Sequence, residues 1–138
     1  MKNYALLMIA ISMMLISTKG FSQKIPDVQK KTADSAVIYF PITDYDYGIL
    51  IKGEDGTSSF SFENSGNIPL IISDVHAACG CTTPTWPHQP IMPGKSGEIR
   101  VVYDTERLGE FMKTVTIYSN AKAITLQLSG LVQEPGKE

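Results

Sequence analysis

The chain has 138 residues, which suits one domain on the usual scale of roughly 100–200 residues per domain. Hydrophobic residues make up 43% of it, so the composition favours a packed core over a disordered chain. The formal charge of −2 provides no concentrated basic surface and excludes a typical nucleic-acid-binding protein. Two cysteines are too few for a disulfide-stapled scaffold.

The N-terminal segment has the pattern of an export signal. Lys2 precedes an apolar block at residues 5–16, and a polar stretch follows it up to Gln23. A block of about 12 residues is too short to cross a membrane as a helix, but it fits the ~7–15 apolar residues of a secretory signal. We predict a signal peptide over residues 1–23 and a periplasmic or extracellular mature chain without a transmembrane anchor. A buried N-terminal helix is the alternative.

The rest of the chain has the period of β-structure. Apolar residues recur at every second position or in short dense runs, which is typical of strands that bury one or both faces. In chain order, these runs occupy residues 37–40, 47–51, 59–63, 70–75, 98–104, 115–118 and 124–128. Turn sequences separate them. Asp55-Gly56 predicts a short hairpin with Gly56 at positive φ, and Pro93-Gly94 suits a type II turn.

About seven short strands at this spacing predict an all-β fold, an antiparallel β-sandwich of the immunoglobulin type. A small barrel is the alternative architecture. The predicted organisation is a signal peptide over 1–23, a polar flank over 24–35, the sandwich over 36–133 and a polar tail over 134–138.

Cys79-Gly80-Cys81 is the segment with the most chemistry. On an extended backbone the two thiols lie on the same face, with Cα atoms roughly 6–7 Å apart, at the outer edge of the disulfide range. Gly80 gives the backbone freedom to close that gap. An exported chain meets an oxidising environment, so a disulfide between Cys79 and Cys81 is the first hypothesis. In the chain-entropy model, a disulfide that closes so short a loop stabilises the folded state by only about 1.6 kcal/mol.

Other interpretations of the two thiols stay open. They could bind Cu or Zn with His88 as a third ligand, although structural zinc sites space their cysteines by two to four residues. They could exchange disulfides, although no Lys or Arg lies between Lys52 and Lys95 to lower a thiol pKa. They could also stay reduced and pack as small hydrophobic residues. No other cofactor is predicted.

Residues 82–93 are rich in proline, and we predict that they form an exposed loop. Trp86, Pro87 and Pro90 are candidates for contact with a partner, because an aromatic residue in a loop can anchor an interface. Covering the core is the alternative for Trp86. The sequence contains no nucleophile elbow, phosphate-binding loop or dinucleotide fingerprint, so no catalytic residue is assigned.

Several fragments taken together resemble one known family. They lie at residues 46–49, 60–66, 69–72, 79–82, 90–94, 97–99, 103–105, 109–113 and 119–120. The most specific is Cys79-Gly80-Cys81-Thr82, followed by Pro90-Ile91-Met92-Pro93-Gly94. Over about residues 44–132 the chain resembles the bacterial domain-of-unknown-function family 1573, which is similar to immunoglobulin-like domains of the Hydin and major-sperm-protein group. The resemblance implies the sandwich and no activity. Tyr47 stands where Phe is usual.

These observations favour a non-enzymatic, exported immunoglobulin-like module. It would bind another macromolecule, a protein, at the envelope or outside the cell, through sheet-edge pairing or loop contacts. The alternative is a thiol-based copper-binding or redox protein that uses Cys79 and Cys81. A hydrolase is the third hypothesis.

Overall fold

The computed structural model describes residues 33–136, and all of its regular structure in that range is β-strand. The strands, numbered β1 to β8, are Ile38–Tyr39, Asp44–Ile51, Thr57–Asn64, Ile72–Ala77, Thr82–Thr85, Ser96–Tyr103, Gly109–Ser119 and Ile124–Gln133. This range accordingly holds no helix of the length and apolarity needed to cross a membrane. The predicted signal peptide over residues 1–23 lies outside the described residues.

The eight strands form two four-stranded sheets. The first has the order β1-β3-β6-β5, and the second has the order β2-β8-β7-β4. All neighbours are antiparallel except β2, which runs parallel to β8. Side chains at alternate positions of both sheets are buried in one shared hydrophobic cluster. The predicted immunoglobulin-like β-sandwich is therefore confirmed, with one strand more than the sequence indicated.

The core follows the alternation seen in the sequence. In β3 the inward residues Phe60 and Phe62 are each 2% exposed, and in β6 Ile99 and Val101 are fully buried. The rings of Tyr103 and Phe111 stack with centroids 3.7 Å apart, and this contact joins β6 in one sheet to β7 in the other. Period-two burial and aromatic contacts between the sheets together define which face of each strand is inside.

A buried asparagine ties one end of the sandwich together. Asn64 is the last residue of β3 and is fully buried. Its Oδ1 accepts hydrogen bonds from the N–H groups of Gly66 (3.0 Å) and Val37 (3.4 Å). Its Nδ2 donates to the carbonyl oxygens of Ile68 (2.8 Å) and Ile91 (2.9 Å). One amide thus joins the approach to β1, the turn after β3 and the segment before β6.

The predicted turn at Asp55-Gly56 is not a hairpin. Gly56 does not have a positive φ, and the strands on either side of it belong to different sheets. The hairpin prediction is wrong because Asp55-Gly56 carries the chain across the sandwich. Glycine is required there because a Cβ atom would collide with the carbonyl oxygen of Tyr103. The type II turn is confirmed: Gly94 has a φ of 74°, and Lys95 N–H donates to the Met92 carbonyl at 3.0 Å.

The segment predicted to be an exposed loop begins with a strand. Thr82–Thr85 forms β5, which pairs with β6 at the edge of its sheet. The loop prediction is therefore wrong for residues 82–85. The strand tolerates Pro84 because an edge strand leaves half of its N–H groups without a neighbouring strand, and proline has no N–H to lose.

Candidate functional site

Cys79 and Cys81 lie in the link that takes the chain from β4 in one sheet to β5 in the other. A disulfide joins them, with Cα atoms 5.2 Å apart. It closes a ring of only three residues, so it is a local constraint and not a crosslink between distant strands. Cys81 is 2% exposed and Cys79 is half-buried. Both sulfur atoms face the hydroxyl of Thr82, at 3.7 Å for Cys79 and 3.8 Å for Cys81.

The same link closes the outer edge of β5. The Cys81 carbonyl accepts the N–H of Asp104 (2.9 Å), which sets the register so that residues 83 and 85 bond to β6. The backbones of Thr82 and Pro84 therefore face the free edge. Thr82 N–H donates to the Cys79 carbonyl at 3.4 Å, and Pro84 has no N–H. This edge of β5 offers no free donor to an added strand.

The predicted metal ligands are not arranged as a metal centre. Across residues 33–136 no group of three or more His, Cys, Asp or Glu side chains is placed to hold a metal ion. The sulfur atoms of Cys79 and Cys81 are bonded to each other. The ring of His88 lies against Trp86, with centroids 5.1 Å apart. A Cu or Zn site here would require reduction of the disulfide and movement of His88, and it stays a prediction.

The predicted partner-binding residues follow β5. Trp86 is half-buried and packs against the core cluster. Its indole Nε1 is enclosed and has no hydrogen-bond partner in the part of the chain that the structure describes. Pro87 is half-buried, and Pro90 is exposed. Trp86 thus covers the core, as the alternative for it proposed, and a partner contact through these three residues stays a prediction.

A groove that sequence reasoning missed lies on the outer face of the second sheet. It has a volume of about 470 Å³. We call it the bulge groove, and its lining residues are Asp46, Gly48, Glu110, Phe111, Met112, Ser129, Gly130 and Leu131. It opens where the pairing of β2 with β8 shifts between Asp46 and Ile49. In this bulge Gly48 has a φ of 64°, and its N–H donates to Asp46 Oδ1 at 2.8 Å.

Two rows of side chains cross the bulge groove from β2 through β8 to β7. The first row is Asp46, Ser129 and Met112, and the second row is Ile49, Leu131 and Glu110. Between the rows the backbone of β8 and of the bulge at Gly48 forms the floor. Gly130 faces the core instead, where a Cβ atom would meet the ring of Phe111. Gly48 is the one sequence signal that could have indicated this site, because glycines inside strands mark bulges and close backbone approaches.

The groove combines exposed apolar side chains with acids. Met112 is 66% exposed, and Ile49, which pairs with the lining residue Leu131 at the rim, is 64% exposed. Asp46 and Glu110 are exposed as well, and neither forms an ion pair with any residue in the described range. The arrangement presents an apolar surface between two unpaired carboxylates and brings together no set of groups that performs a reaction.

Solved structures with this architecture are PapD-like and immunoglobulin-like β-sandwich domains. The ASH/PapD-like domain 7 of human CEP192 is similar with a TM-score of 0.62 at 10% identity, covering 73% of this chain and 88% of that one. The CupB2 chaperone of Pseudomonas aeruginosa has a TM-score of 0.52 at 13% identity, with coverage of 68% and 55%. At these identities the likeness is one of fold.

Within that class the chain belongs to the family described as protein of unknown function (DUF1573), whose model matches residues 38–132. The predicted family membership is confirmed. A protein of unknown function from Porphyromonas gingivalis W83 has a TM-score of 0.63 at 22% identity, with 72% of this chain and 48% of that one covered. The chain thus spans about half the length of that protein. No curated protein matches the chain.

Proposed function

We propose that this protein is an exported, non-enzymatic module that binds another protein through the outer face of a sheet. The fold supports a binding role, since it is shared with the CupB2 chaperone. The observation that carries the proposal is the exposure of large apolar side chains beside a core that is already closed, with Ile49 and Met112 as the most exposed of them on the outer face of the second sheet. Grouped apolar side chains on a surface are typical of interaction sites.

The edges of the sheets are partly closed to strand addition. On β5 the donors that face outward are absent or already bonded, as described above. Two N–H groups of β2 donate to the carboxylates of Asp46 (2.8 Å) and Glu54 (2.6 Å), and one N–H of β4 donates to Asp74 (2.9 Å). The remaining edge strand, β1, has only two residues. Natural proteins protect edges in these ways, so the sheet faces are the favoured binding surface.

Export is part of the proposal. The apolar block at residues 5–16 has the length of a secretory signal, and a disulfide between Cys79 and Cys81 is typical of an oxidising compartment. Fractionation of cells that produce the full chain tests it. We expect a shortened product outside the cytoplasm, and full-length protein in the cytosol would overturn the proposal.

Photo-crosslinking in those cells tests the binding role. A crosslinking amino acid would replace Met112 on one outer face, Val102 on the other, or His88 in the proline-rich segment, and Ala123 in the β7–β8 turn would be the control. We expect Met112 or Val102, and not Ala123, to capture a discrete protein that mass spectrometry identifies. Folded protein that forms no discrete crosslink from Met112 or Val102 would refute the proposal, and capture from His88 alone would move binding to the proline-rich segment.

A further inference from the structure

The outer face of the sheet β2-β8-β7-β4 is acidic throughout. Its charged residues are Asp44, Asp46, Asp74 and Glu110, which are all exposed. The only Lys or Arg in these four strands is Lys113, and it occupies an inward position between the buried residues Phe111 and Val115. No ion pair involves these four acids within the described residues. This face therefore lacks a positive charge of its own to offset its carboxylates.

In the bulge groove the acids stand at opposite corners. Asp46 lies on β2 in one row, and Glu110 lies on β7 in the other row. Two strand spacings in one direction and two residues in the other place their Cα atoms roughly 12 Å apart. The midpoint between them falls over the Gly130 backbone on β8, with Ser129 on one side and Leu131 on the other. The exposed side chains of Ile49 and Met112 occupy the other two corners.

We propose that the bulge groove binds a basic, apolar segment of the partner protein, in which two Lys or Arg residues flank an aliphatic residue. In an extended segment, residues i, i+2 and i+4 point to the same side, and the outer two are roughly 13 Å apart. That spacing matches the two carboxylates, and the central aliphatic side chain would lie over the Gly130 backbone, beside Leu131. Complementary charge at the rim and apolar contact at the centre are what specific interfaces use.

This inference rests on the proposed function, and a peptide of defined sequence tests it. The probe is an acetylated and amidated Lys-Ser-Leu-Ser-Lys peptide, titrated into the ¹⁵N-labelled folded protein and followed by backbone amide shifts. We expect saturable shifts concentrated at Gly48, Met112, Gly130 and Leu131. The corresponding Glu-Ser-Leu-Ser-Glu peptide should produce none, and added salt should weaken binding because the charges are exposed.

Two charge reversals distinguish binding in the groove from attraction of the peptide by the overall negative charge of the protein. Glu110→Lys should weaken binding of the probe about fivefold, since an exposed ion pair is replaced by repulsion. Glu63→Lys changes the net charge equally on the outer face of the other sheet and should leave the affinity unchanged. Equal losses in both variants, shifts spread over the surface, or no shifts at 10 mM peptide would overturn the inference, with about 10 mM taken as the limit of weak binding.

The two proposals fail in different ways. A protein captured from Val102 but not from Met112, together with no response to the peptide, would leave sheet-face binding standing and remove the groove. Absence of any captured protein would remove the binding role itself.

Discussion

The buried amide of Asn64 offers the sharpest test of how this sandwich is held together. Asn64→Ala removes hydrogen bonds to four backbone groups, those of Val37, Gly66, Ile68 and Ile91. Two of these four backbone groups lose little hydrogen bonding when the side chain is removed. The Ile91 carbonyl still accepts Leu70 N–H at 2.8 Å, and the bond from Val37 is long at 3.4 Å. Within the described residues, Gly66 N–H and the Ile68 carbonyl have no other hydrogen-bond partner.

The expected magnitude follows from those two groups. A buried group left without a hydrogen bond costs roughly 1–3 kcal/mol, and Gly66 and Ile68 are half-buried, so the low end applies to each and the free energy of unfolding should fall by about 2 kcal/mol. Domains of this kind have total stabilities of roughly 5–15 kcal/mol, so a loss of that size is a large fraction. Urea denaturation measures it, and fluorescence of Trp86, the single tryptophan, reports the transition.

Asn120→Ala is the matched control. Asn120 also makes side-chain hydrogen bonds to the backbone, from Ile71 N–H (2.9 Å) and to the Pro69 carbonyl (2.9 Å), but it is exposed. Water can replace its bonds, so the loss should be at most about 1 kcal/mol. A similar loss in both variants would refute the argument that burial makes Asn64 important.

Asn64→Asp keeps the size of the side chain and removes the two N–H donors of its amide, so it tests the donors alone. The carboxyl has nearly the same size but places an oxygen against the carbonyl oxygens of Ile68 and Ile91. Burial and these two carbonyls raise the pKa of the introduced carboxyl, because both disfavour its charged form. Its contribution to stability is therefore greatest at low pH and is lost as the pH rises. Relative to wild type, this variant should recover stability between pH 7.5 and pH 4.5, and a constant difference would contradict the reasoning.

Three further results are expected. Tyr47→Phe loses a bond from the hydroxyl to the Gly56 carbonyl (2.7 Å) and should cost only about 0.5–1 kcal/mol, because that carbonyl keeps the Tyr103 N–H at 2.8 Å. Burial raises the pKa of Tyr47, so wild-type stability should fall as the pH rises above the ordinary tyrosine value, and urea midpoints at pH 8 and 10.5 should show a smaller fall in the variant. Reduction of the Cys79–Cys81 disulfide in the otherwise unchanged chain should lower the free energy of unfolding by no more than about 1.6 kcal/mol in urea denaturation, and a loss of twice that would make the bridge a main stabiliser. Titration of the reduced protein with Cu(I) against a competing chelator should give no tight stoichiometric binding, because Cys81 is buried and His88 lies against Trp86; tight binding lost in Cys81→Ser would favour the metal-binding alternative.

The strands that bury one face could be predicted from the sequence, because such burial places an apolar residue at every second position. In β3 and β6, alternate residues such as Phe60, Phe62 and Ile99 enter the core, and period-two patterns record it directly. β5 leaves no such trace. Its sequence, Thr-Thr-Pro-Thr, has no apolar alternation and contains a proline, so only its pairing with β6 reveals it as a strand.

Contacts between distant parts of the chain could not be predicted from the sequence. A turn at Asp55-Gly56 was visible, but the sheet that each flanking strand joins depends on pairings elsewhere in the chain. The bulge groove likewise combines residues from β2, β7 and β8, and their register follows from the parallel pairing of β2 with β8. Only Gly48 hinted at it, since Gly130 faces the core, and a glycine in a strand does not say which strand lies opposite.

The disulfide between Cys79 and Cys81 matters more for the course of the backbone than for the stability of the fold. A three-residue ring contributes little to global stability, since so short a loop removes little freedom from the unfolded chain. In the folded chain the ring turns the backbone from one sheet to the other and places the Cys79 carbonyl where it accepts Thr82 N–H. Together with Pro84, this leaves β5 without a donor at its outer edge. An edge closed in this way resists pairing with other chains, and partner binding is then left to the sheet faces, where the exposed apolar and acidic side chains lie.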